Sequence, residues 1–271
     1  MHTVRPPAVA GAFYPGAGAV LAQQVQNLLQ AGATPPGTNT TAPKALIVPH
    51  AGYIYSGATA ALAYARLAPW RDVIKRVVLL GPVHRVPVRG LALPGVAAFA
   101  TPLGEVPVDQ AAVALVRGLP QVVTSAPAHA QEHSLEVQLP FLQTVLADFQ
   151  LLPLAVGDAS AHEVAQVLEQ VWGGPETLLV ISSDLSHYLP YEVARAVDNA
   201  TLRQLLSLKG GLSHNQACGG TPINGLLLAA RQHHLQPQLL GQCNSGDTAG
   251  DRDHVVGYAA LTFTEGDPHA H

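Results

Sequence analysis

The sequence predicts an α/β fold organised around a mostly parallel sheet. Short apolar runs such as 45–49, 76–80 and 178–181 alternate with segments of helical periodicity, which is the pattern of βαβ units. Hydrophobic residues make up 48% of the 271 residues and charged residues only 12%, so the chain can bury one extensive core. No internal repeat divides it. We therefore expect a single domain over residues 1–271, with a frayed tail at 265–271.

The first elements are predicted from periodicity and turn residues. An aliphatic stripe indicates a helix over 17–31, and a linker rich in Gly, Thr and Pro follows it. A buried strand over 45–49 then ends at His50. Ser56 is predicted to cap an alanine-rich helix that reaches about residue 67.

The remaining elements continue this alternation. A strand over 76–80 precedes a proline-rich stretch over 86–108, which is typical of edge strands or of an excursion from the sheet. Further helices are predicted over 109–117, 132–146 (kinked or restarted at Pro140), 162–171, 192–206 and 221–233. Further strands are predicted near Val122 and over 151–156, 178–181, 237–243 and 254–263.

Charge and terminal segments argue against several functional classes. The net charge is −4 and the 14 basic residues are scattered, which leaves no electrostatic footprint for nucleic acid. The N-terminus lacks the apolar stretch of a signal peptide, and no apolar run is long enough to span a bilayer. We expect a cytoplasmic protein with neither nucleic acid nor membrane as partner. Cys218 and Cys243 are too few for a disulfide scaffold, although a single bridge between them stays open.

Potential metal ligands follow the predicted strands. His50 and His84 each come after a strand, at a turn rich in Gly and Pro, and ligands bind beyond the carboxyl ends of strands in open α/β sheets. Cys218 precedes a helix, where free N–H groups lower the pKa of a thiol. Imidazole and thiolate together predict a transition-metal pocket. A buried histidine bonded to a carbonyl, or a buried core cysteine, is the structural alternative for each.

Three more residues are predicted to work in the same pocket. Asp184 and His187 follow the strand over 178–181 and are spaced about one helical turn apart, which suits a carboxylate and an imidazole in acid–base roles. Asp184 could instead cap a helix. His133 lies at the start of the helix predicted over 132–146, where simple solvent exposure is the alternative.

Motifs of other enzyme classes are missing from the sequence. It contains no G-x-S-x-G, no Walker motif, no dinucleotide-binding G-x-G-x-x-G after a strand, and no H-E-x-x-H. The sequence does leave one enzymatic alternative, in which Cys218 is a nucleophile and His187 or His50 is its base.

Several blocks of the chain, taken in order, resemble the Memo family, known in prokaryotes as the AmmeMemoRadiSam system protein B group. The blocks are Arg5–Pro15, Pro49–Gly57, Leu80–His84, Glu132–Phe141, Ser182–Tyr188, Cys218–Ile223 and Gly257–Ala260. They extend over nearly the whole chain. The resemblance implies the fold of class III non-haem iron extradiol dioxygenases, a three-layer α/β/α sandwich.

The resemblance also implies the chemistry of the pocket. It assigns His50, His84 and Cys218 as ligands of iron, with copper as the alternative metal. It assigns His133, Asp184 and His187 to the remaining, catalytic positions. Because a thiolate replaces the glutamate ligand of the dioxygenases, the implied chemistry is oxygen-dependent redox turnover of a small molecule rather than ordinary ring cleavage. The prokaryotic family name implies a functional association with a radical-SAM protein.

Two other functions stay open at this point. The pocket could bind a peptide or small molecule without turnover, as a binding module. Alternatively, Cys218 could be the nucleophile of a hydrolase or transferase.

Overall fold

The structure is a computed structural model that describes residues 3–33 and 41–266. Most of the predicted linker after the first helix lies outside the described residues, as do residues 267–271 of the predicted frayed tail. Residue 265, the first of that tail, ends the last strand instead.

The described strands form one large and one small sheet. In chain order they are β1 (Val4–Arg5), β2 (Pro43–Val48), β3 (Arg76–Pro82), β4 (Leu91–Leu93), β5 (Ala98–Thr101), β6 (Gly104–Pro107), β7 (Val122–Thr124), β8 (Gln150–Val156), β9 (Thr177–Ser182), β10 (His187–Leu189), β11 (Leu235–Asn244) and β12 (Val255–Glu265). The large sheet has the order β10-β12-β2-β9-β3-β8-β4-β7, with β11 paired to β12, and the small one is β1-β5-β6. The proline-rich stretch thus supplies one strand of the large sheet and two strands of the small one.

The centre of the large sheet is parallel. Neighbours β2, β9, β3 and β8 all run in the same direction, whereas β12 and β4 join this group antiparallel. The central strands are buried on both faces, which is why they are continuous apolar runs rather than alternating ones. Their shared direction brings the carboxyl ends of β2, β9 and β3 to one edge of the sheet.

Helices cover both faces of this sheet. They are α1 (Gly18–Ala31), α2 (Tyr53–Tyr64), α3 (Gln110–Val116), α4 (Ala126–Ala130), α5 (Leu139–Val145), α6 (Ala161–Gln170), α7 (Tyr191–Leu206) and α8 (Gly220–Gln232). One hydrophobic cluster joins Leu46 and Val48 of β2 to α1, α2 and α5, and a second joins Ala45 and Ile47 to α3, α6, α7 and α8. The predicted three-layer α/β/α sandwich is therefore confirmed, with a sheet that is mixed away from its parallel centre.

The helix predicted over 132–146 is wrong in its first half. Helix α4 ends at Ala130, residues 131–135 form a turn, a 3-10 helix covers Glu136–Gln138, and α5 follows. Pro140 lies in the first turn of α5, where its missing N–H costs no helical hydrogen bond. The interruption matters because Glu132 and His133 lie on a turn, so they can both face the strand ends.

Two local predictions are also wrong. Helix α2 begins at Tyr53, and Ser56 lies inside it, where its hydroxyl donates to the carbonyl of Ala51 at 3.1 Å. Asp184 and His187 do not lie on a helical turn, because the chain is irregular after β9 and His187 begins β10. No helix within residues 3–33 and 41–266 is both long and apolar enough to cross a membrane.

Candidate metal site

Three histidines from separate parts of the chain meet at the carboxyl edge of the parallel strands. His50 follows β2, His84 follows β3, and His133 lies on the turn before α5. One ligand atom of each lies within 4.8 Å of the others, and the ring centroids are separated by 4.7 to 5.4 Å. This group could hold a metal ion.

The hydrogen bonds of Ser182 determine which nitrogen of His50 is open. The Ser182 hydroxyl donates its one proton to the carbonyl of Ser134 at 2.6 Å and accepts from Nε2 of Gln138 at 2.9 Å. It must therefore also accept from His50, whose Nδ1 lies 2.9 Å away. Nδ1 of His50 carries the proton, and its Nε2 presents a lone pair to the site.

Glu132 determines the orientation of His84 in the same way. Its Oε1 lies 2.8 Å from Nδ1 of His84, and its Oε2 accepts from the backbone N–H of His84 at 2.6 Å. The pKa of Glu132 is lowered to about 2, because these bonds and a third from Ser134 outweigh the opposing effect of burial. An ionised carboxylate only accepts hydrogen bonds, so Nδ1 of His84 is the donor and its Nε2 is open.

Burial keeps two of the clustered imidazoles, those of His50 and His133, neutral. It is the largest cause that lowers the pKa of His50 well below its usual value and that of His133 to about 4. The charge of Glu132 opposes this effect on His133, and the charge of Arg85 adds to it. A metal needs neutral imidazole, so these shifts favour metal binding near pH 7.

Cys218 lies next to the open nitrogen of His50. Its Sγ lies 3.3 Å from Nε2 of His50, and the backbone N–H of Asp184 donates to it at 3.3 Å. The thiolate expected at this helix start is not found, because burial and the Asp184 charge raise the thiol pKa to about 12. This pKa argues against a free thiolate nucleophile at neutral pH. Cys218 and Cys243 are both unpaired.

Asp184 and His187 line the same cavity as Cys218. Asp184 accepts from the backbone N–H of His50 at 2.7 Å, and burial raises its pKa to about 7. Nδ1 of His187 lies 2.9 Å from the carbonyl of Leu185, so Nδ1 donates and Nε2 is open. Burial lowers the pKa of His187.

The site opens into a cavity of about 1730 Å³. All six site residues predicted from the sequence line this cavity. Its wall also includes Phe13, whose ring packs 4.8 Å from that of His133. The tight trio is not the set assigned from the sequence: it includes His133, which was assigned an acid–base role, and it leaves out Cys218. Both groups share His50 and His84.

Sequence reasoning missed the residues that support the histidines. Glu132, Ser182 and Gln138 all lie inside the sequence blocks that carry the family resemblance. The blocks therefore contained these residues but did not indicate their role. Their partners are 44 to 132 residues away in sequence. Nothing in the local pattern indicated which of these polar side chains would reach an imidazole.

The fold and the site together define a three-layer α/β protein with a histidine-lined cavity at the strand ends. Comparison with known proteins gives the family: residues 5–262 match the Memo-like protein family, to which this chain belongs. A MEMO1 family protein of Aquifex aeolicus is 36% identical, and one of Sulfurisphaera tokodaii is 34% identical, each over 96% of this chain and 99% of the relative. A solved structure of an uncharacterized protein of Escherichia coli K12 matches 82% of this chain and 99% of its own, at 15% identity and a TM-score of 0.49.

Proposed function

We propose that this chain is a metal-dependent redox protein that binds iron, with copper as the alternative, through His50, His84 and Cys218 and acts on a small molecule with dioxygen. The observation that carries the proposal is the pair of Nε2 atoms held open by Ser182 and Glu132. The thiol of Cys218 lies 3.3 Å from one of them.

The donor set fits such a metal. Neutral imidazole and thiolate suit iron and copper, and the contacts of Ser182 and Glu132 are the outer-shell contacts that orient ligating histidines. When bound, the metal would supply one-electron redox chemistry and a position for dioxygen. Since the pKa of Cys218 is about 12 without a metal, the thiol must give up its proton as the metal binds.

The neighbouring residues would hold and move protons. His187 is neutral near pH 7 because burial lowers its pKa, and its open Nε2 can accept a proton from a ligand in the cavity. His133 is also neutral and lies against His84. The pKa of Asp184, at about 7, allows this carboxyl group either to hold or to release a proton near neutrality.

Metal content tests the proposal. The protein would be purified anaerobically from iron- and copper-replete cells and measured by mass spectrometry. We expect near-stoichiometric metal in the wild type and in Cys243→Ala, a control cysteine variant, and loss of metal in His84→Ala and Cys218→Ala. His133→Ala should retain metal.

Two outcomes would contradict the proposal in different ways. If His133→Ala loses metal while Cys218→Ala retains it, the three histidines are the ligands and the assignment of Cys218 is wrong. If the wild type binds no metal even after anaerobic reconstitution, the metal-dependent function itself is wrong.

A further inference from the structure

The cavity beside the histidines contains one basic side chain that has no partner. Arg85 is the single Lys or Arg among the described residues that line it. No hydrogen bond or ion pair engages its side chain within the described part of the protein. By contrast, Arg89 on the same loop pairs with Glu163 at 2.7 Å, and Arg76 pairs with Asp109 at 2.6 Å.

The loop that carries Arg85 is anchored at both ends. At its start, the backbone N–H of His84 donates to Glu132 at 2.6 Å. At its end, Val88 and Gly90 exchange backbone hydrogen bonds of 2.7 to 2.9 Å with Gly157 and Asp158. A Cβ atom at Gly157 would lie 2.1 Å from the carbonyl oxygen of Val88. Only glycine therefore allows the two backbone segments to approach this closely. The backbone of this loop is therefore held in place, and Arg85, an exposed residue that follows His84 in the chain, lines the cavity.

The charges around the cavity define the class of ligand. A guanidinium binds a carboxylate through two parallel hydrogen bonds. The described wall also includes three aspartates, Asp158, Asp184 and Asp251, which would repel a dianion more strongly than a monoanion. Phe13, next to His133, offers an apolar surface for the body of the ligand.

We propose that the cavity takes a monoanionic carboxylate compound and that Arg85 binds its carboxylate. The proposal deepens the proposed function, since it names the class of small molecule that would lie beside the metal. The binding step itself needs only the cavity wall, so it can be tested on metal-free protein.

Benzoate and its neutral isostere benzamide are suitable probes. Binding to the metal-free full-length chain would be measured by calorimetry or NMR titration at low salt. We expect the wild type to bind benzoate in preference to benzamide. Arg85→Gln should weaken benzoate binding by about tenfold or more, as expected for loss of a charge-assisted hydrogen bond, and should leave benzamide unchanged. Arg71→Gln, which removes the same charge from an exposed position before the amino end of β3, should behave as the wild type.

Three results would overturn the assignment: no benzoate binding by the wild type at millimolar concentration, equal affinity for benzoate and benzamide, or equal benzoate affinity in Arg85→Gln. Preference for benzoate in a protein that binds no metal would overturn the metal-dependent function alone. Stoichiometric metal without that preference would overturn the role of Arg85 alone.

Discussion

Nδ1 of His84 donates to Oε1 of Glu132 across 2.8 Å, and the backbone N–H of His84 donates to Oε2 of the same carboxylate at 2.6 Å. One side chain therefore determines both the ring orientation and the backbone position of His84. The carboxylate comes from a turn 48 residues further along the chain. The segment after β3, which carries His84, and the turn at 131–135, which carries Glu132 and His133, are thereby coupled at the site.

Glu132→Gln is expected to weaken metal binding by roughly 10- to 100-fold, the usual cost of losing a carboxylate that orients a ligating histidine. The amide keeps the shape of the side chain but removes its charge. Competition with a chelator of known affinity would measure the change. Glu163→Gln, in the first turn of α6 and not part of the described cavity wall, is the matched control and should bind metal as the wild type does. Equal affinities in the two variants would contradict an orienting role for Glu132.

Gly219→Ala is expected to displace Cys218 from His50. An added Cβ would lie 2.6 Å from Cβ of Ser183 and 2.9 Å from the carbonyl oxygen of Ser182, and neither atom is the end of a flexible side chain. The readout is the thiolate-to-metal absorption of cobalt-loaded protein, which should weaken or disappear. Gly118→Ala adds the same methyl group where nothing lies within 4 Å, so it should leave the band intact. A full band in Gly219→Ala would contradict the prediction.

Arg5→Met is expected to destabilise the fold by about 3 to 5 kcal/mol, because it leaves a buried carboxylate without its cation. Arg5 donates to Glu136 at 2.7 Å and to the carbonyl of Glu132 at 2.7 Å, and it is 4% exposed. Urea unfolding would measure the loss. Arg195→Met breaks an exposed pair with Glu192 and should cost less than about 1 kcal/mol. If both variants lost a similar amount of unfolding free energy, the buried pair would stabilise the fold no more than the exposed pair does.

His129 is expected to make stability fall in mild acid. Burial lowers its pKa to about 4, and its Nδ1 is buried without a hydrogen-bond partner. Because the unfolded pKa is near 6.5, the unfolded state binds more protons between about pH 6.5 and pH 4. The free energy of unfolding should therefore drop as pH falls through this window, by about 3 kcal/mol in total from this residue.

His129→Gln should flatten that part of the stability profile, measured by urea unfolding at a series of pH values. The glutamine amide can still donate to the carbonyl of Ala92, which accepts from Nε2 of His129 at 2.8 Å. His162→Gln, at an exposed position, should keep the wild-type slope. An unchanged slope in His129→Gln would exclude this histidine as a source of acid sensitivity.

The secondary structure was predictable where local forces decide it. The buried runs that became β2, β3, β8 and β9 are apolar except near their ends. Asp109 caps α3 through a side-chain bond to Ala112 at 2.8 Å. The prediction failed over 132–135, where the sequence favours helix. There the side chains of Glu132 and Glu136 bind partners as far as 131 residues away, and these tertiary bonds override helix propensity.

Local sequence was enough to place His50 and His84 after buried strands and Cys218 before a helix, because these features depend on hydrophobic periodicity and turn chemistry. Three properties of the site follow from long-range contacts instead: His133 joins the two strand-end histidines, both of those histidines present Nε2, and the thiol pKa of Cys218 is raised rather than lowered. These properties depend on burial and on hydrogen bonds between distant segments, and a local pattern contains neither.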